Sequence, residues 1–119
     1  MMKLTIKATN LDLTLELKEA LSKKIAILDK LIPLVKTPIE AYLEVAKETR
    51  HHQKGRVYYA EANIKVLGEV IRAEAREDNI FKAIGVVKDE LKKLLTRYTK
   101  KQIAKREKAQ RALKERSEG

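Results

Sequence analysis

The sequence has no cysteine and no tryptophan, a single phenylalanine, two prolines and four glycines. Without cysteine there is no disulfide and no thiolate metal centre, which suits a reducing compartment. The only two histidines, His51 and His52, are adjacent. Neighbouring side chains in an extended chain point to opposite sides, and no cysteine completes a zinc site, so we read the pair as polar loop residues. We assign no metal and no cofactor. The sequence contains no Gly-rich phosphate loop, no G-x-S-x-G and no H-E-x-x-H pattern, so neither an enzyme nor a small-molecule substrate is expected. No apolar run approaches the roughly 20 residues that a membrane span needs. The opening "MMKLTIKATN" has no apolar core suited to a secretory signal. The expected location is the cytoplasm, with no membrane partner.

What the chain has in quantity is positive charge. Its 119 residues, enough for one domain, carry a formal net charge of +10. From Lys88 onward twelve basic residues face five acids, a net +7 within the last 32 residues; the remainder has fifteen basic and twelve acidic residues, a net +3. Charge gathered at one end points to a nucleic-acid partner.

The apolar residues mark four strands and two helices. "KLTIKA" alternates, with Leu4, Ile6 and Ala8 on one face. Thr14 is positioned to cap a helix with Glu16 in its first turn, and Leu17, Leu21, Ile25, Leu28 and Leu31 form its stripe. Pro33 and Pro38 punctuate its end. Three alternating segments follow, with Ile39, Ala41, Leu43 and Val45, then Tyr58, Ala60, Ala62, Ile64 and Val66, then Ile71, Ala73 and Ala75 inward. "RHHQKG" reads as a polar turn and Leu67–Gly68 as a tight hairpin, giving an antiparallel meander. Asp78–Asn79 starts a second helix whose stripe is Ile80, Ile84, Val87, Leu91, Leu94, Leu95 and Tyr98. Gly85 interrupts it, and close packing is one reason a glycine would be kept there. Beyond Tyr98 the stripe thins, so the chain is expected to leave the domain near residue 100. The predicted fold is α+β, a β-α-β-β-β-α two-layer sandwich with two helices packed on one face of a four-stranded sheet and strands one and two parallel. The predicted units are a domain over residues 1–101 and a basic C-terminal extension over 102–119, helical or disordered.

Two surfaces compete as the binding site. Tyr42 and Tyr59 point to the open sheet face, where exposed aromatics can stack bases. They share it with Glu40, Glu44, Glu61 and Glu74 and with Lys3, Lys7, Lys65, Arg72 and Arg76, a near-neutral mixture that cross-strand ion pairs explain without a ligand. On the second helix, Lys93, Arg97, Lys101 and Lys105 recur every four residues as a ridge, widened by Lys92, Lys100 and Lys108. Lys23, Lys24 and Lys30 on the first helix add to it. Glu90 is the main acid beside it. Such a ridge holds phosphates and reads no base sequence. We take Lys92, Lys93, Arg97, Lys100, Lys101, Lys105, Lys24 and Lys30 as the RNA-binding residues.

The element order, with "YAEANI" (Tyr59 to Ile64), "IRAEA" (Ile71 to Ala75), "DNIFKAI" (Asp78 to Ile84) and "ELKKLLTRYTKK" (Glu90 to Lys101), resembles the ribosome hibernation promoting factor and ribosome-associated inhibitor A family over about residues 2 to 101. The resemblance implies a factor that binds small ribosomal subunit rRNA in the decoding channel, where mRNA and the A- and P-site tRNAs lie, and inhibits translation in stress or stationary phase. It implies RNA contacts at Lys93, Arg97 and Lys101. The sequence departs from the family pattern at Asn79, which stands in place of Asp, at Gly85 in place of a polar residue, at Glu90 in place of a lysine, and at Ile27 in the Lys-Leu-(Glu or Asp)-Lys segment that here reads Ile27, Leu28, Asp29, Lys30. Long members carry a second, dimerising domain, and nothing after Lys101 resembles it. The expectation is a short form or a truncated long form, monomeric off the ribosome. The alternative is a structured-RNA-binding domain of double-stranded-RNA type acting off the ribosome.

Overall fold

The computed structural model describes residues 2–31, 39–48, 57–66 and 68–118. Pro33, Pro38, the "RHHQKG" segment with its two histidines, and Leu67 lie outside the described residues. The elements run β1 (Met2–Thr9), α1 (Leu15–Asp29), β2 (Ile39–Lys47), β3 (Tyr58–Val66), β4 (Glu69–Glu77) and α2 (Ile80–Glu118). This is the order that the alternation and the helical stripes predict.

Both helix starts are fixed by side chains that satisfy otherwise unpaired backbone N–H groups. Thr14 Oγ1 accepts from the Leu17 N–H at 3.2 Å, ahead of Glu16 in the first turn. Asn79 Oδ1 accepts from the Phe81 N–H at 2.7 Å and the Lys82 N–H at 3.4 Å. Between β3 and β4 the ladder closes at Val66 opposite Glu69. Gly68 has φ +83° there, a conformation that a Cβ disfavours.

The sheet order is β1-β2-β3-β4, with β1 parallel to β2 and the other two pairs antiparallel. Because side chains alternate across each strand, one face collects Ile39, Ala41, Leu43, Val45, Ala60, Ala62, Ile64, Val66, Ile71 and Ala73, all buried. Onto that face pack Leu17, Leu21, Ile25 and Leu28 of α1 and Ile80, Ala83, Ile84, Val87, Leu91, Leu95 and Tyr98 of α2. The inward residues of the edge strand β1, Leu4, Ile6 and Ala8, are only half-buried. At the far end Thr99 Oγ1 donates to the Leu31 carbonyl at 2.9 Å, tying the end of α1 to α2 across 68 residues of sequence.

Packing of α2 ends at about this point. Residues 103–116 are exposed on every side, yet the helix continues to Glu118. Lys, Arg, Glu, Gln and Ala dominate this stretch, and their helix propensity, with continuity from a packed helix that has already borne the nucleation cost, carries it on. The helix is roughly 58 Å long at 1.5 Å per residue, and it sets the 66 Å long axis of a molecule only 27 by 19 Å across. Among the described residues, no helix is long and apolar enough to cross a membrane. Gly85 is not explained by packing: a Cβ built there meets nothing within 4 Å.

Candidate nucleic-acid interface

The buried stripe of α2 fixes which side chains face away from the core. At about 100° per residue, Lys93, Arg97 and Lys100 lie opposite Leu91, Leu95 and Tyr98. With Lys92 they surround Thr96 in a shallow basin of about 390 Å³. The Thr96 hydroxyl is turned back to the Lys92 carbonyl at 2.7 Å, so the basin's free donors are all cationic. Lys93, Arg97 and Lys100 have no ion-pair partner among the described residues. Three or four like charges held on one face of a rigid helix are a standing demand for anions.

A four-residue spacing is not a straight line on this helix. Each such step turns about 40° beyond a full turn, so Lys105 stands roughly 120° round from Lys93, towards the side that further back packs the sheet. The residue in line with Lys93 is Arg111, about five turns on, and Lys108 lies close to the line of Arg97, about three turns on. Both are exposed. The structure thus keeps Lys92, Lys93, Arg97 and Lys100 together, sets Lys101 on the flank towards β4, and turns Lys105 aside. Arg111 was not singled out from sequence, and its exact eighteen-residue separation from Lys93 is the signal that finds it.

The α1 side is held by a different group. Lys24 lies with Lys88 at the seam between the helices, beside Leu21, Ile25, Val87 and Leu91. Lys88 Nζ is 2.6 Å from Asp89 Oδ1. The hydrogen bond and charge of Lys88, reinforced by Lys24 and Lys92, hold the Asp89 carboxyl below its ordinary value. Asp89 therefore tempers the cations at this seam. Lys30 caps the end of α1, next to the Leu31 carbonyl that Thr99 engages, which places it at the same end of the helical layer as Lys100.

The open sheet face is closed off by its own contacts. Tyr59 points outward from β3, as the alternation requires, but only 9% of it is exposed. Its hydroxyl donates to Glu61 at 2.7 Å or Glu74 at 2.8 Å, and the Arg76 guanidinium covers its ring at 4.7 Å. Burial first, and then these two carboxylates, push its pKa well above the ordinary value. Tyr59 is therefore not the exposed stacking aromatic that its position on the strand suggested. Glu44, Glu61 and Glu74 lie directly across the sheet from one another, an arrangement that costs energy unless donors intervene. Arg72 supplies them, at 2.9 Å from Glu61 and 3.0 Å from Glu74. Tyr42 keeps 39% exposure, with Lys65 5.5 Å from its ring centroid and its hydroxyl donating to Glu40 at 3.0 Å.

Comparison with known proteins agrees with this architecture. The fold is similar to the crystal structure of the Thermus thermophilus Protein Y N-terminal domain, with a TM-score of 0.66 at 20% identity over 81% of this chain and 98% of that one. It is also similar to a ribosomal subunit interface protein from Coxiella burnetii, with a TM-score of 0.59 at 22% identity over 83% and 98%. A ribosome hibernation promotion factor from Picosynechococcus sp. is 28% identical over 105 residues, which are 88% of this chain and 53% of the relative, so the chain spans about half the length of that protein. Residues 4–103, from β1 through the packed part of α2, match one protein family, and the chain belongs to it: the Sigma 54 modulation protein / S30EA ribosomal protein family.

Proposed function

We propose that this chain is a ribosome hibernation factor that binds small-subunit rRNA through the outer face of α2 and inhibits translation by occupying the decoding channel. The observation that carries the reading is the row Lys93, Arg97 and Lys100, cations without ion-pair partners among the described residues on a helix locked to the core on its opposite side. Rigid cations lose little entropy on meeting phosphate, and phosphate contacts position a protein without demanding a base sequence. A factor that acts on every idle ribosome needs that kind of contact. The mechanism is steric and electrostatic: protein fills the path of mRNA and tRNA, and no bond is made or broken. The names of the relatives from Picosynechococcus and Coxiella support the ribosome as partner.

The test is competition on purified small subunits. The chain is expected to co-sediment with them, to inhibit translation in vitro, and to exclude initiator tRNA. If tRNA and the chain occupy one subunit together, the blocking mechanism is wrong. If the chain binds free duplex RNA as tightly as subunits, it acts as a general RNA-binding domain instead.

A further inference from the structure

Beside the cationic face, between β4 and α2, runs an open groove of about 460 Å³ lined by Glu69, Val70, Ile71, Arg72, Leu94, Arg97, Tyr98 and Lys101. We infer that it is a subsite for one unpaired nucleotide, whose base enters the groove while its phosphates stay on Arg97 and Lys101. The inference rests on the RNA reading above and goes further, because it gives the surface a means of sensing base chemistry.

Four observations converge. The volume suits one nucleotide, within the range of small-ligand clefts. The walls are apolar where a base would lie, with Val70 58% exposed on the edge strand and Leu94 opposite on α2. Arg97 borders both this groove and the basin of Lys92, Lys93 and Lys100, so one RNA strand can cross from phosphate contacts to the groove without a break. The fourth observation is Tyr98. It is only 6% exposed, and its hydroxyl has no hydrogen-bond partner among the described residues. A buried hydroxyl left unpaired is costly, and phenylalanine would fill the same space without that cost. Burial, and then the Glu69 carboxylate, push its pKa up, so it remains a neutral donor.

The chemistry of a suitable base follows. Glu69 accepts and does not donate, and Tyr98 does either. An exocyclic amine matches Glu69, as the amine of cytosine matches a glutamate in base readout. Uracil presents a carbonyl at that place. The hydroxyl is shielded from solvent, so a base edge reaches it only after the groove lining shifts.

Hexacytidylate and hexauridylate carry the same phosphates, so a difference between them reads the base. Each is titrated into the ¹⁵N-labelled full chain, and amide shifts are followed at Val70, Arg72 and Tyr98 for the groove and at Lys93 and Lys100 for the outer face. Both sets are expected to move, with hexacytidylate binding roughly three- to tenfold more tightly, the worth of one hydrogen bond. Glu69→Gln should erase that preference. Tyr98→Phe should weaken hexacytidylate by a similar factor while its melting temperature stays level or rises. If only the outer-face amides move, or the two oligonucleotides bind equally, the groove is not a base site and the RNA reading stands. If neither set moves, the RNA reading fails and takes the groove with it. A hexaglutamate peptide that shifts the groove amides as strongly marks a surface for acidic protein segments and overturns the proposal, as does a Tyr98→Phe variant that melts lower.

Discussion

The Arg76 guanidinium lies 4.7 Å from the centroid of the Tyr59 ring, on the next strand and directly opposite it in register. Glu48 holds Arg76 from the other side at 3.1 Å, while Glu61 and Glu74 hold the Tyr59 hydroxyl. An aromatic residue on the open face of a sheet has thus become part of a polar lid. Tyr59→Phe keeps the ring and removes the hydroxyl bonds. We expect it to cost about 1.5–3 kcal/mol, as for hydrogen bonds to charged groups, measured as a shift of the urea midpoint, and to leave ribosome binding unchanged. Loss of binding without loss of stability would make the sheet face the RNA surface.

The same lid sets an acid limit. Hydrogen bonds from Tyr59 and Asn63, and then from Arg72, hold the Glu61 carboxyl below its ordinary value of 4.5 against the opposing effect of burial. A group whose folded pKa is depressed contributes stability above its unfolded pKa and loses it as pH falls through the folded one. Stability should therefore decline as pH drops from about 5 through the carboxylate range. Glu61→Gln should be less stable than the parent at pH 7 and should show a shallower decline below pH 5. Thermal melts of both proteins at pH 3 to 7 check this, and parallel curves would remove Glu61 from the account.

Gly85 breaks the helical propensity of α2 without a packing reason that the structure supplies, since a Cβ there meets open space. Gly85→Ala should therefore stabilise the fold by about 0.5–1 kcal/mol and raise the melting temperature by a few degrees. A destabilised variant would mean that the backbone at this point is not free to accept a side chain.

Most of the fold was legible because period-2 and period-3.6 patterns rest on burial, and burial decides this architecture. Leu17, Leu21, Ile25 and Leu28, or Ala60, Ala62 and Ile64, have only one arrangement in which all of them leave water. The covering of Tyr59 was not legible. Alternation tells which way a side chain points, but Arg76 reaches its ring only through the β3–β4 register, and Glu48 reaches Arg76 only through β2. The line of the basic face was half legible. Counting in fours finds Lys93, Arg97 and Lys101 and then drifts off the face at Lys105.

That drift gives a charge-matched test of the binding face. Changing Lys93, Arg97 and Lys101 together to Glu touches no buried residue, so circular dichroism should show an unchanged fold while subunit binding is severely reduced. In the exposed part of α2, Arg111 continues the line of Lys93 and Lys108 that of Arg97, whereas Lys105 and Arg106 point to the side and rear. The double variants Lys108→Glu/Arg111→Glu and Lys105→Glu/Arg106→Glu alter the net charge equally. A general attraction to RNA weakens both alike. A rigid strip of phosphate contacts, roughly 27 Å from Lys93 to Arg111, is damaged by the first far more than by the second. We expect the first pair to lower affinity and to flatten its salt dependence, since each lost phosphate contact removes about 0.9 from the slope of log K against log salt on the duplex-DNA scale. The second pair should keep the parent slope. Equal losses in the two pairs would show that the extension acts only as a diffuse positive charge, and the binding face would then end near Lys101.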